Sequence, residues 1–254
     1  MPHRPSDLHP FLERLLTRSV LTAEERCAVL DLPTRADQVS ANRDFVHLDQ
    51  TLQHSCIVVK GLVGRFGQTS QGARQITALH IAGDAPDLHS VVQPKAGSAL
   101  QALTTTTIVR VPHAALRAVA ARYPAIAEAF WRDSVVDAAV LSQWVVNVGR
   151  RDARTRMAHL LCEMASRFKA RLTDNRASFP FPITQVHLAD ATGLTPVHVN
   201  RTLKCLKELG LMTMNRQWVQ ISDWKALARM GEFHAGYLQI DIKPEERLRI
   251  AVPA

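Results

Sequence analysis

Cysteine is scarce and scattered: the chain has 254 residues and four cysteines, with no CxxC pair. That excludes a zinc knuckle or a local iron–sulfur loop and leaves dispersed, reduced thiols as the plain reading. Long apolar runs are missing too. No uninterrupted stretch exceeds four residues, so a spanning helix is excluded. The opening residues MPHRPSDLHPFLERLLTRSV carry charges throughout and have no apolar signal core. The expectation is a chain that stays in the cytoplasm and has no membrane partner. Also absent are HxH, GxSxG, GxxxxGK and HExxH, the spacings that assemble cupin-like metal sites, acyl-transfer nucleophiles, phosphate cradles and zinc peptidase centres. No catalytic residue and no metal ligand is therefore expected.

What the chain has in excess is positive charge, and it is unevenly placed. Residues 1–149 hold 14 Lys and Arg against 13 Asp and Glu. Residues 150–230 hold 14 against 6, and residues 231–254 hold 3 against 4. The whole formal excess of +8 thus falls in one domain-sized block. A basic module beside a neutral one is the electrostatic footprint of nucleic-acid binding.

The neutral half divides by pattern. Leu8, Phe11, Leu12, Leu15 and Leu16 follow a helical stripe, and Thr22 with Glu25 makes a capping box for a second short helix, stopped by Pro33. Residues 35–112 carry short runs rich in Val, Ile, Thr and Leu (Ser55–Lys60, Leu62–Phe66, Arg74–Ile81, Thr104–Val111), punctuated by glycines. These read as a β-sandwich or barrel, with a hairpin tip at Gly67–Gly72. From Ala125 to Phe179 there is no proline and one glycine, Gly149, which reads as long helices. The first is apolar on more than one side, so it must bury more than one face. A second copy of the chain is the simplest cover, with Trp131, Val135, Val140, Leu141, Trp144 and Val148 as the expected dimer interface. The next helix has a stripe of Met157, Leu160, Leu161, Met164 and Phe168, with Arg150, Arg151, Arg154, Arg156 and Arg167 expected on its outer face. Thr173–Pro182 reads as a loop.

Residues 183–211, ITQVHLADATGLTPVHVNRTLKCLKELGL, hold the densest signal. Thr184 can cap a helix over Gln185–Ala191, and Gly193 breaks it. Thr195 is a second cap, with Pro196 at the first helical position, where its missing N–H costs nothing. Val199, Leu203 and Leu206 form the buried stripe and Gly210 the stop. Two short helices at a glycine turn make a helix-turn-helix. Residues 212–221 then read as a small β-wing with Asn215–Gln217 at its tip.

Leu188–Leu211 resembles the helix-turn-helix signature of the Crp/Fnr family of bacterial transcription regulators, including the Arg of its x-V-x-R, here Arg201. KGLVGRF (Lys60–Phe66) and IAGD (Ile81–Asp84) are similar to the glycine landmarks of that family's cyclic-nucleotide-binding-like β-roll. The resemblance covers roughly residues 10–228. It implies an α+β chain: N-terminal helices and a jelly-roll sensor over 1–124, a dimerisation helix over 125–149, a winged helix-turn-helix over 150–230 and an extension over 231–254. It further implies a homodimer on double-stranded DNA, gated by an unidentified signal, with RNA polymerase as a partner if the protein activates. Arg201, Val197, Pro196 and Asn200 stand as base contacts: Arg201 can fork onto guanine, and Val197 and Pro196 can touch a thymine methyl. Thr195, His198, Lys204 and Gln185 stand as phosphate contacts.

The resemblance stops short at the sensor. Members that bind cyclic AMP carry a Gly-Glu and then Arg-Ser/Thr-Ala. Here GDAPDLHSVVQPKAGSALQALT (Gly83–Thr104) has no Gly-Glu, and Ala96-Gly97 fall where the Arg-Ser would be. Lys95, one residue off, offers a point charge in place of a fork. Cyclic-nucleotide binding of the usual kind is not expected and no cofactor is predicted. Asp87, Ser98 and Gln101 are the candidate effector pocket. Clustered N-terminal cysteines for an iron–sulfur variant are missing, and His47, His54, His80 and His89 read as surface or hydrogen-bonded histidines. Two other function classes stay open: a cupin-like metal-dependent enzyme with a basic appendage, and a dimeric interaction module that binds no DNA. Tyr237–Ile242 alternates like a strand, in an extension expected to be flexible or self-covering.

Overall fold

The computed structural model describes residues 5–250. Helices α1 (His9–Leu16) and α2 (Ala23–Leu30) open the chain. The expected capping box of α2 forms. The Glu25 amide donates to Thr22 Oγ1 at 3.3 Å and the Thr22 amide to Glu25 Oε2 at 2.7 Å, satisfying two otherwise orphan donors.

Seven strands follow: β1 (Arg35–Val39), β2 (Arg43–Val46), β3 (His54–Lys60), β4 (Val63–Gln68), β5 (Arg74–His80), β6 (Ala99–Ala102) and β7 (Thr106–Pro112). They form two sheets of order β1-β7-β3 and β2-β6-β4-β5. Alternation divides their side chains between two cores. Val58 and Ile108 join Val46, Val63 and Leu100 from the other sheet. Their neighbours Ile57, Val109 and Val111 face a helical layer of Phe11, Leu15, Val29, Leu116 and Ile126. The short strands β1, β2 and β6 are not signalled as runs in the sequence. Their alternation is diluted by charged and small residues.

α3 (His113–Arg122) leads into α4, a 27-residue helix over Pro124–Arg150. One side of α4 is ionic. Asp133 accepts from Arg14 Nε at 2.6 Å and Arg18 Nη1 at 3.0 Å, and one turn later Asp137 accepts from Arg65 Nη2 at 2.7 Å. The exposed side carries Trp131, Val135, Ala138, Ser142, Val145 and Gly149, at alternating steps of four and three. That average of 3.5 is the period of a two-helix seam. The expected interface therefore divides. Trp131, Val135 and Leu141 are exposed, Val148 is half-buried, and Val140 and Trp144, at 5% and 4% exposure, lie in the chain's own core. Trp144 is withdrawn because its indole N–H finds a buried carboxylate, Glu163.

α5 (Ala153–Arg167), α6 (Gln185–Thr192), α7 (Pro196–Glu208) and α8 (Trp224–Met230) follow, with a sheet of order β8-β10-β9 built from β8 (Ala177–Pro180), β9 (Met212–Met214) and β10 (Trp218–Ile221). β8 corrects the expected loop at Thr173–Pro182. Ala177 and Phe179 alternate inward along it, and Pro180 sits at the strand's end. Three of the five arginines expected on the outer face are a second correction. Arg150 and Arg154 are exposed. Arg151 reaches Asn147 and Glu232, Arg156 donates to the Thr192 and Arg151 carbonyls, and Arg167 pairs with Glu163. Arg150 and Arg154 thus keep the expected outward position, whereas Arg151, Arg156 and Arg167 are held by partners within the fold.

The residues condense into two compact units. One comprises the chain up to Phe66, Leu79–Ala138 and the segment from Asp241 on; the other comprises Gly67–Ala78 and Ala139–Ile240. The C-terminal extension contributes to both. In the second unit, Tyr237 lies in a 3-10 turn, Ala235–Leu238, where a strand had been read. Its hydroxyl donates to Glu163 Oε2 at 2.8 Å, and His159 Nδ1 donates to the Gly231 carbonyl at 2.9 Å. In the first unit, Arg249 forks onto Glu25 at 2.8 and 2.9 Å. Among the described residues no helix is long and apolar enough to cross a membrane.

Candidate nucleic-acid interface

The helix-turn-helix rests on α5, whose Met157, Leu160, Leu161 and Met164 are fully buried. Thr184 caps α6 by accepting from the His187 amide at 3.1 Å. Leu188, Ala189, Ala191 and Thr192 form its buried face. Burial holds the His187 imidazole below its ordinary range, against the pull of Asp190. α6 ends at Gly193 in the left-handed conformation, φ +62°, which favours glycine. The Leu194 amide closes the turn on the Ala189 carbonyl at 3.1 Å. Arg156 Nη1 takes the Thr192 carbonyl at 2.5 Å, and Gln75 Nε2 the Ala191 carbonyl at 3.3 Å, so side chains occupy carbonyls that α6 leaves free.

Thr195 caps α7 in the same manner, accepting from the His198 amide at 3.2 Å, and Pro196 fixes the first turn. Val199, Thr202 and Leu206 are its buried stripe, and Leu203 is half-buried. At the far end the Leu211 amide bonds the Leu206 carbonyl and the Gly210 amide the Lys207 carbonyl, with Gly210 at φ +70°. This is a Schellman stop.

The side of α7 left open carries Val197, Asn200, Arg201 and Lys204, spaced so that they share one face. Val197 is 63% exposed, so its methyl groups are open to apolar contact. Lys204 Nζ lies 3.7 Å from Glu208 one turn on, an exposed pair that a phosphate can outcompete. Pro196, Thr195, His198 and Gln185 are exposed as well. The eight expected contacts are thus gathered on the first turns of the two helices and the outer face of α7.

One residue without an assigned role joins them. Asn215 Oδ1 accepts from the Gln217 and Trp218 amides, each at 2.8 Å, closing the tip between β9 and β10. That turn leaves Arg216 exposed at its end. The Asn-Arg-Gln tip is readable in the sequence, but its rigidity depends on the amide geometry.

The β-strand half offers a different site. Asp87 is buried, its Oδ1 accepts from the Cys56 amide at 2.7 Å, and its Oδ2 has no hydrogen-bond partner. Burial pushes this carboxyl up to about 6, against the hydrogen bonds from Cys56. Asp87 lines a cavity of about 10 Å³ with Val46, His89, Gly97, Ser98 and Leu100, room for about one water. Ser98 is therefore beside Asp87, but Gln101 turns away: its amide donates to Asp44 on β2 at 2.7 Å. Lys95 pairs with Asp49 on the surface. A cyclic phosphate needs a cation, and the group this cavity presents is the Asp87 carboxyl, with Lys95 paired to Asp49 elsewhere. Among the described residues no cluster of His, Cys, Asp and Glu could hold a metal ion.

The Crp-like helix-turn-helix domain matches residues 155–230. The nitrogen fixation regulation protein FixK of Azorhizobium caulinodans is 27% identical over 190 residues, covering 74% of this chain and 76% of FixK. The fumarate and nitrate reduction regulatory protein of Escherichia coli K12 is 23% identical over 170 residues, covering 67% and 68%. Among solved structures, FixK2 of Bradyrhizobium japonicum superposes with a TM-score of 0.71 at 23% identity, covering 78% of this chain and 98% of that one. A CooA variant of Carboxydothermus hydrogenoformans gives 0.65 at 16%, covering 87% and 95%.

Proposed function

Because this chain belongs to the Crp/Fnr family of transcription regulators, we propose that it acts as a homodimer on a near-palindromic DNA site. The observation that carries the reading is the open face of α7, where Val197, Asn200, Arg201 and Lys204 stand together behind a capped, proline-fixed first turn. Helix-turn-helix dimers insert two such faces into major grooves one turn apart, about 34 Å. Arg201 would fork onto guanine O6 and N7, Val197 and Pro196 would contact a thymine methyl, and Asn200 would read an adjacent base edge. Thr195, His198, Lys204, Gln185 and Arg216 would hold phosphates and fix the register.

The dimer would form along α4 through Trp131, Val135, Ala138, Ser142 and Val145. The small residues in that seam let the two helix backbones approach. RNA polymerase enters only if bound protein activates. The acidic cavity at Asp87 speaks against a cyclic nucleotide as the signal.

Selection of genomic fragments by the purified protein tests the reading. The expected result is an inverted repeat with half-site centres about 10 base pairs apart. Enrichment of no common sequence would overturn it.

A further inference from the structure

The extension beyond α8 ends on the first unit in a particular way. The Leu248 amide donates to the Arg18 carbonyl at 3.1 Å, and the Val20 amide to the Leu248 carbonyl at 3.3 Å. The Ile250 amide donates to Glu128 Oε2 at 2.9 Å, and Arg132 Nη1 reaches the Leu248 carbonyl at 3.4 Å. The segment is thus fastened by its backbone to the end of α1 and to one turn of α4. Arg249 reaches Glu25 with a third of its side chain still exposed, and Leu248 and Ile250 are left 53% and 68% exposed. In an extended segment, residues two apart share a side, so both apolar chains face the same way.

The backbone of the segment is held at Glu128 and Arg132, which flank Trp131 on α4. Glu128, which holds Ile250, lies one turn before Trp131, itself 68% exposed, and Val20 beside Leu248 is exposed as well. The bordering charges are matched: Arg249 with Glu25 at 2.8 Å, Arg132 with Glu128 at 3.9 Å. What remains at Val20, Leu248 and Ile250 is an apolar patch whose two touching charges are paired, while Lys243, Glu245 and Glu246 lie exposed earlier in the segment. A nucleic acid or an anionic lipid would need cations there. A self-complementary surface needs only its own copy across a two-fold axis.

We propose that the segment Leu248–Ile250 is part of the homodimer interface, laying Val20, Leu248 and Ile250 beside Trp131 against a second copy of the chain. The proposal rests on the dimer reading above and extends it to an element outside the helix. The full chain is compared with three variants by sedimentation equilibrium across a dilution series. Leu248→Ala with Ile250→Ala keeps the backbone bonds and removes the apolar atoms; it is expected to raise the dimer dissociation constant about tenfold. Leu248→Asp with Ile250→Asp is expected to raise it about a hundredfold. Val145→Glu, in the seam far from the segment, reports on the helix itself. If both tail variants dimerise within twofold of the parent while Val145→Glu dissociates, the proposal is overturned and the seam stands. If the tail variants weaken the dimer and Val145→Glu does not, the proposal stands and the seam is wrong. A parent chain that is monomeric at every concentration overturns both. Superimposable far-ultraviolet circular dichroism spectra of parent and alanine variant show that the change is one of association.

Discussion

The indole N–H of Trp144 donates to both carboxylate oxygens of Glu163, each at 3.1 Å, and both residues are buried. An isolated carboxylate at that depth would be strongly unfavourable. Tyr237 at 2.8 Å and Arg167 at 3.4 Å complete its partners, so α4, α5 and the C-terminal extension meet at one charge. Burial and the adjacent carboxylate raise the Tyr237 phenol above its ordinary range, so it remains a donor.

Tyr237→Phe keeps the ring against His159 and Phe233 but removes that donor. The expected loss is about 1–3 kcal/mol, the cost of an under-satisfied buried acceptor. Thermal unfolding followed by tryptophan fluorescence would read it, and an unshifted midpoint would contradict the network.

Asp87 makes a pH-dependent contribution. Its folded pKa is about 6 against an ordinary 3.8, so between these values the folded state binds the extra proton. The stabilisation is complete below about 4 and is lost as pH rises through about 6. Asp87→Asn should therefore raise the unfolding midpoint at pH 7.5 and flatten its dependence between pH 4 and 6. A parent and variant with parallel pH profiles would remove Asp87 from the account.

On DNA, Arg201 and Lys204 of α7 should behave differently. Arg201→Ala is expected to cost about 1–3 kcal/mol on the selected site and to relax preference at one base position. Lys204→Ala should weaken all sequences alike and reduce the salt slope by about one. Binding titrations at several salt concentrations, on specific and scrambled duplexes, separate the two. Equal effects of both changes on both duplexes would mean that Arg201 reads no base.

Two glycines near the extension form a matched pair. A Cβ at Gly231 would lie 2.6 Å from the His159 amide nitrogen, whereas one at Gly236 would meet nothing within 4 Å. Gly231→Ala should destabilise by about 1–3 kcal/mol through overpacking, and Gly236→Ala should cost far less. Chemical denaturation of the two variants is the comparison, and equal midpoints would contradict the close approach.

Signals that act locally were readable in the sequence. Thr22 with Glu25, Thr195 with Pro196, and the left-handed stops at Gly193 and Gly210 each do their work within a few residues, and each is found in the fold. The recognition face follows from them, because once α7 has its ends, helical spacing decides what Val197, Arg201 and Lys204 share. What was not readable depended on distant partners. Trp144 reads as an exposed apolar residue until Glu163, nineteen positions on, claims its N–H. Arg156 reads as a solvated charge until the Thr192 carbonyl needs a donor. Two prolines hid β8, since a strand of four residues shows its inward pair only beside β10. Gln101 sits in the right stretch for an effector site, but the register of β2 against β6 turns its amide to Asp44.

The interleaving of the two units sets how this protein can be rearranged. The chain passes from one unit to the other after Phe66, Ala78, Ala138 and Ile240. A fragment beginning at α5 would lack Gln75, which donates to the Ala191 carbonyl at the turn before α7, and Trp144, which satisfies Glu163. A single recombination point before α5 would therefore leave both donors behind when this half is joined to a foreign sensor. A working chimera would have to carry the tip of the β4–β5 hairpin and the second half of α4 along with it.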